Sequence, residues 1–156
     1  MYKRILVAVD GSSTSQLALR QGLQLAREQR ARLRLVHVVD ELASRVEGAY
    51  TPEGFWQAAR KAGKRILGDA KARAGKAGID AETKLLEIRT FGGVVRRVAN
   101  VIVAEAERWR ADLVVIGTHG RRGLSKLLLG SVADGVVRTS ATPVLLIRGA
   151  RRSRRG

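Results

Sequence analysis

The stretch richest in chemical content is Gly117-Thr118-His119-Gly120-Arg121-Arg122-Gly123-Leu124-Ser125-Lys126-Leu127-Leu128-Leu129-Gly130-Ser131. Connections in compact α/β domains usually run ~2–6 residues, so one this long has a task beyond turning the chain. Its glycines open backbone conformations closed to other residues and let a ligand reach main-chain N–H groups. Gly130-Ser131 then opens a helix, whose first turn offers unpaired N–H donors at the positive end of the helix dipole. Gly130 admits a phosphate group, Ser131 caps the helix or donates its hydroxyl, and Arg121, Arg122 and Lys126 add positive charge. The stretch reads as a phosphate cradle; the competing reading is a glycine-rich turn with no ligand.

Several chemistries are disfavoured. No G-x-x-x-x-G-K-[ST] loop occurs, and Ser125, followed by Lys126-Leu127, fails the G-x-S-x-G pattern of a nucleophile elbow. Asp40 follows the second apolar run, where dinucleotide folds place a ribose-binding acid. The G-x-G-x-x-G fingerprint is missing after the first run, which demotes NAD. The absence of cysteine removes disulfides, thiolate metal sites and cysteine nucleophiles, and two histidines are too few for most histidine-built metal sites. No acid/base pair suited to fast hydrolysis stands out, so binding or sensing, with slow hydrolysis at most, fits better than an efficient enzyme. Asp10, at the end of the first run, either contacts a ligand or caps a turn. His37 lies within a strand and reads as a packed side chain. His119 touches phosphate or fills the loop interior.

The elements that position these residues follow from hydrophobic periodicity. Ile5-Leu6-Val7-Ala8-Val9 is a continuous apolar run, as in a strand covered on both faces. Ser13 with Gln16 resembles a capping box, after which Ala18, Leu19, Gly22, Leu23, Leu25 and Ala26 recur at helical spacing. Leu33 to Val39 is a second strand. Thr51-Pro52 starts a long helix with Phe55, Ala59, Ala62, Ile66 and Ala70 on one stripe. Leu85, Leu86 and Ile88 suggest a third, shorter strand. Gly92-Gly93 precedes a helix striped by Val94, Val98, Val101, Ile102 and Ala106, and prolonged by Trp109. Leu113 to Ile116 and Val144 to Ile147 are the fourth and fifth strands, with a short helix near Ser131 to Ser140 between them. Apolar strands alternating with helices argue for an α/β fold, a parallel sheet with helices on both faces. In such sheets ligands sit beyond the carboxyl ends of the strands, where strand order reverses.

With 156 residues the chain is sized for one domain, and 45% hydrophobic with 28% charged residues is ordinary globular usage. No apolar run approaches the ~20 residues of a membrane span, and the run from Ile5 to Val9 is too short for a signal peptide. The chain is therefore expected in the cytoplasm. Thirty Lys and Arg against fourteen Asp and Glu give a net charge of +16, which attracts polyanions. Arg60, Lys61, Lys64, Arg65, Lys71, Arg73 and Lys76 share one predicted helix, and residues 149–156 form a basic tail expected to be disordered. An alternative function is therefore a basic, ATP-independent binder of nucleic acid or an acidic partner. Aromatic residues for base stacking are only 4% of the chain, so a solvated basic face is the favoured reading.

The spacing Gly117, two residues, Gly120, nine residues, Gly130-Ser131 resembles the glycine-rich ATP-binding signature of the universal stress protein family. Three further segments are similar to that family in the expected order: Lys3-Arg4-Ile5-Leu6-Val7-Ala8-Val9-Asp10-Gly11-Ser12, Ala111 through Gly120, and Thr142-Pro143-Val144-Leu145-Leu146-Ile147. The resemblance covers residues 2–148 and implies one domain over 1–148, with a five-stranded parallel sheet in the order 3-2-1-4-5. It also implies an ATP-binding module for stress response or signalling. By the same resemblance Asp10 contacts the adenosine and the main chain of Val38 meets the adenine edge. Ala8, Val9, Ile116 and Gly117 line base and ribose, and Gly120, Gly130, Ser131 and Val132 hold the phosphates. Mg²⁺, where it accompanies ATP, rests mainly on phosphate oxygens, because few carboxylates are near. In the implied order Val144, Leu145, Leu146 and Ile147 form a sheet edge, a template for a homodimer. The turn Arg89 to Arg97 departs from the family's glycine, small residue, proline pattern.

Overall fold

Apolar runs without alternation need both faces of their sheet covered, and the five strands of the computed structural model are arranged that way. The structure describes residues 1–40, 52–89, 97–119 and 129–149. The strands are β1 (Arg4–Ala8), β2 (Arg32–Asp40), β3 (Ala81–Ile88), β4 (Leu113–Gly117) and β5 (Val144–Ile147). They form one sheet in the order β3-β2-β1-β4-β5, and every pairing is parallel. The helices are α1 (Ser13–Gln29), α2 (Pro52–Lys76), α3 (Val98–Trp109) and α4 (Ser131–Thr139).

Alternation along each strand divides the core between the two faces. Ile5, Val7, Leu33, Leu35, Leu113 and Val115 pack with Leu19 and Ala26 of α1 and Leu67, Ala70 and Ala74 of α2. Leu6, Val36, Val114 and Ile116 pack on the other face with Ile102, Val103 and Ala106 of α3 and Val136 of α4. Ile5, Leu6, Val7, Val114 and Val115 have no exposed surface. Each such side chain contributes about 1.5–3 kcal/mol relative to leaving it in water. The expected α/β class, strand order and two-sided helical cover are all observed.

Three local expectations need correction. The cap of α1 is Ser12, not Ser13: its hydroxyl accepts the Ser15 N–H at 3.2 Å. β3 begins at Ala81, because the polar side chains Glu82, Thr83 and Lys84 mask a pairing with β2 that runs from Leu33↔Ala81 to Asp40↔Ile88. The buried face of α2 is Trp56, Gly63, Leu67, Ala70 and Ala74, while Ala62 is exposed. Gly63 is the reason: a β-carbon there would meet His37 Cδ2 at 2.7 Å, so the helix approaches the sheet through a residue that carries no hydrophobic signal. Thr51, Val94 and the turn over 90–96 lie outside the described residues. So do residues 150–156 of the expected tail.

Candidate functional site

β1 stands between β2 and β4, so the strand order reverses at its carboxyl end. Its pairings, Ala8↔Val36 with β2 and Val7↔Val115 with β4, bring Ala8, Val9, Asp10, Val38, Ile116 and Gly117 to one end of the sheet. Val9 continues the ladder past β1 by donating its N–H to Val36 O at 2.9 Å. His37 is buried, with Nδ1 2.7 Å from Val9 O, in keeping with a packed role.

Asp10 closes a turn: its Oδ1 accepts the Ser12 N–H at 2.9 Å, and its own N–H donates to Ser15 Oγ at 3.3 Å. Gly11, with φ of 81°, supplies the left-handed residue between them. The turn engages only one carboxylate oxygen, so a role toward a ligand is compatible with it.

From Asp10 a hydrogen-bonded path crosses to α4. Ser12 Oγ lies 3.3 Å from Thr14 Oγ1, and Thr14 donates its hydroxyl to the His119 carbonyl. Beside it, Thr118 O accepts the Gly130 N–H at 2.8 Å, and Thr118 N–H donates to Ile147 O at 2.9 Å. The two ends of the glycine-rich connection are therefore fastened together beyond β4, and α4 starts at that point. Gly120 and 121–128 lie outside the described residues.

The two helix starts differ. At α1 the Ser12 side chain accepts one first-turn amide, that of Ser15, whereas the cap of α4, Gly130, has no side chain and no side-chain cap bond replaces it among the described residues. Ser131 is exposed and Val132 partly so. Among the described residues no side chain accepts from the amides at the start of α4, the groups that a helix start leaves without an intrahelical partner.

His119 bonds through Nδ1 to Thr118 Oγ1 at 2.9 Å, and its Nε2 is buried with no hydrogen-bond partner among the described residues. Thr14 and Thr118, at 7% and 3% exposure, are buried polar residues of this site that hydrophobic patterning does not single out. Among the described residues no three His, Cys, Asp or Glu side chains cluster as metal ligands.

The described helices include none long and apolar enough to cross a membrane. The model of the universal stress protein family matches residues 1–148. A universal stress protein of Bacillus subtilis is 36% identical over 156 residues, 95% of this chain and 100% of that protein. The crystal structure of a universal stress protein family member from Burkholderia pseudomallei is similar at 36% identity and a TM-score of 0.74, over 94% of this chain and 96% of the other. A universal stress protein of Archaeoglobus fulgidus in complex with dAMP matches at 28% identity and a TM-score of 0.65, over 94% and 98% of the two chains.

Proposed function

This chain belongs to the universal stress protein family, and we propose that it binds an adenine nucleotide, ATP, at the carboxyl end of β1 and β4. Nucleotide occupancy would then govern contact with a downstream partner. The observation that carries the reading is the start of α4, glycine-capped and held against Thr118 beside the end of β4. Such a helix start holds phosphate by main-chain N–H donors and the dipole. The dAMP bound by the Archaeoglobus relative supports the same ligand class.

In this reading Ala8, Val9, Ile116 and Gly117 line base and ribose, Asp10 contacts the adenosine, and the main chain of Val38 meets the adenine. Gly120, Gly130, Ser131 and Val132 hold the phosphates. Mg²⁺, where present, would ride on the phosphate oxygens. Asp10 is engaged in its turn rather than paired with a general base, which fits slow hydrolysis at most. The domain spans 1–148 with a basic tail after it. A homodimer through the edge strand β5, Val144 to Ile147, and a cytoplasmic location complete the proposal.

Mass spectrometry of small molecules released from the purified protein tests the ligand class. An adenine nucleotide is the expected product; its absence, together with no ATP-dependent change in melting temperature, would overturn the proposal.

A further inference from the structure

At the opposite, amino-terminal end of the sheet, a cavity of about 360 Å³ is lined by Arg4, Arg32, Arg34, Arg108, Trp109 and Arg110, five arginines with no carboxylate in the lining. They come from the starts of β1 and β2 and from the end of α3. Two carboxylates lie behind them. Glu82 pairs with Arg32 at 2.5 Å and with Arg34, while Glu105, its side chain 1% exposed, pairs with Arg34 at 2.7 Å, Lys84 at 3.0 Å and Arg108 at 2.9 Å. Asp112 spends its oxygens on the main-chain N–H groups of Lys3 and Arg4, at 2.8 and 3.1 Å. Among the described residues, that leaves the Arg4 guanidinium with only the Trp109 carbonyl, at 3.3 Å, and Arg110 with no carboxylate partner.

Cations at helix ends offset the helix dipole. That accounts for Arg108 and Arg110, but Arg4, Arg32 and Arg34 are on strands. Arg110 also holds φ of 56° at the left-handed closing position of α3, where glycine is the unstrained residue. A like-charged cluster converging on one cavity, with part of its charge unmatched, is stabilised by an anion from outside.

We propose that this cavity is a second anion site, which takes a compact chain of linked phosphates. Its arginines come from three short segments that meet at one end of the sheet, a compact cluster rather than a line of cations along the surface. Guanidinium groups bind phosphate oxygens bidentately. Single-stranded nucleic acid would need a free aromatic face for base stacking. Trp109 does not offer one: it is 8% exposed, and Arg34 and Arg32 stand over its ring at 4.7 and 5.9 Å. The site is independent of the nucleotide reading, since it lies at the other end of the strands.

The test is calorimetric titration of the full chain, freed of nucleotide, with inorganic tripolyphosphate and separately with a short DNA duplex at physiological ionic strength. Arg4→Gln with Arg110→Gln should weaken tripolyphosphate binding about a hundredfold, roughly tenfold for each guanidinium removed from the phosphate oxygens. Arg20→Gln with Arg27→Gln removes the same charge from the exposed face of α1 and should cost no more than about threefold. Arg110→Gly separates binding from folding: relief of the left-handed residue should raise the melting temperature while affinity falls about tenfold. Gly130→Val removes any tripolyphosphate held at the start of α4, and the binding that remains should be the binding lost in Arg4→Gln with Arg110→Gln. Equal weakening by both double substitutions, loss of all tripolyphosphate binding in Gly130→Val, or no tripolyphosphate binding, with or without binding of the duplex, would each overturn the proposal.

Discussion

Gly117 and Thr14 are in direct contact: a β-carbon on Gly117 would stand 2.9 Å from both the carbonyl carbon and the hydroxyl of Thr14. The first turn of α1 thereby closes onto the end of β4, and the Thr14 hydroxyl can reach the His119 carbonyl. Gly117 thus has a packing reason to be glycine, separate from any ligand. Gly117→Ala should destabilise the protein by about 1–3 kcal/mol, the range for overpacking against a backbone that cannot move aside. Urea unfolding without nucleotide measures this; an unchanged midpoint would show that α1 shifts freely away from β4.

The first helix gives a sharper test of local structure. Ser12→Ala should cost about 1 kcal/mol, because the Ser15 N–H loses its acceptor. Ser13→Ala should lie within about 0.5 kcal/mol of the parent, as a surface change away from any cap. Thermal denaturation of the two variants side by side checks the assignment, and the reverse order would move the cap to Ser13.

Ser12 and Ser13 also show what the sequence makes legible. The five apolar runs declare themselves because burial on both faces leaves no alternation, and their order follows the family resemblance. Caps are decided by one hydroxyl's reach over three residues, so two adjacent serines look alike in the sequence. Gly63 and Glu105 fail for another reason. Gly63 is buried because a helix passes close over His37, and Glu105 is buried because cations from β2, β3 and its own helix surround it. Neither partner is near in sequence. The arginine-lined cavity escapes detection likewise: Arg4, Arg34 and Arg110 converge only once the sheet is assembled. At the candidate site, the strand ends and the start of α4 are readable from glycine and aspartate placement, while Thr14 and Thr118 become visible only through their hydrogen bonds.

Glu105 carries an expected loss. Glu105→Gln leaves Arg34, Lys84 and Arg108 without the carboxylate they share and should cost about 1.5–3 kcal/mol, the range for hydrogen bonds to charged groups. Denaturant unfolding at neutral pH measures it. A change below about 0.5 kcal/mol would mean that the three cations find water or one another's partners without penalty.

Glu82 gives a pH signature. Its hydrogen bond from Arg34, reinforced by Arg32 and opposed by burial, holds the carboxyl below its ordinary range. A depressed folded value means that the ionised form stabilises the fold above the ordinary carboxylate range, and that this contribution fades as pH falls through the depressed value. Glu82→Gln should therefore melt below the parent at neutral pH and converge with it in strong acid. Because Glu82 is partly exposed, the neutral-pH gap should be small, about 1 kcal/mol or less. Parallel melting curves across pH measure it, and a gap that widened in acid would reverse the assigned sign.

The edge strand leads to an assembly prediction. The Pro143 and Ile147 carbonyls point toward β4, accepting from Val114 and Thr118 at 2.9 Å each. By strand alternation the main-chain groups of Val144 and Leu146 face outward, available to a second copy. Sedimentation at micromolar concentration should report twice the 17.0 kDa chain mass. A monomer throughout would remove the dimer.

The nucleotide reading makes the last prediction. Binding to the folded state alone raises stability by about 2.7 kcal/mol at a hundredfold excess over Kd, a rise in melting temperature of about 5–10 °C for a chain of this length. Gly130 adopts φ of −62° and ψ of 150°, open to any residue, so Gly130→Val should fold normally. Its side chain would stand where phosphate must approach the first amides of α4, and ATP affinity should fall about tenfold or more, 1.4 kcal/mol per decade. Asp10→Asn keeps an oxygen to accept the Ser12 N–H while removing the charge, so it separates the turn from the ligand. Retained stability with weakened ATP binding places Asp10 against the adenosine, whereas parent-like affinity confines it to its turn. If Gly130→Val instead kept the full ATP-dependent shift, phosphate would not lie on α4.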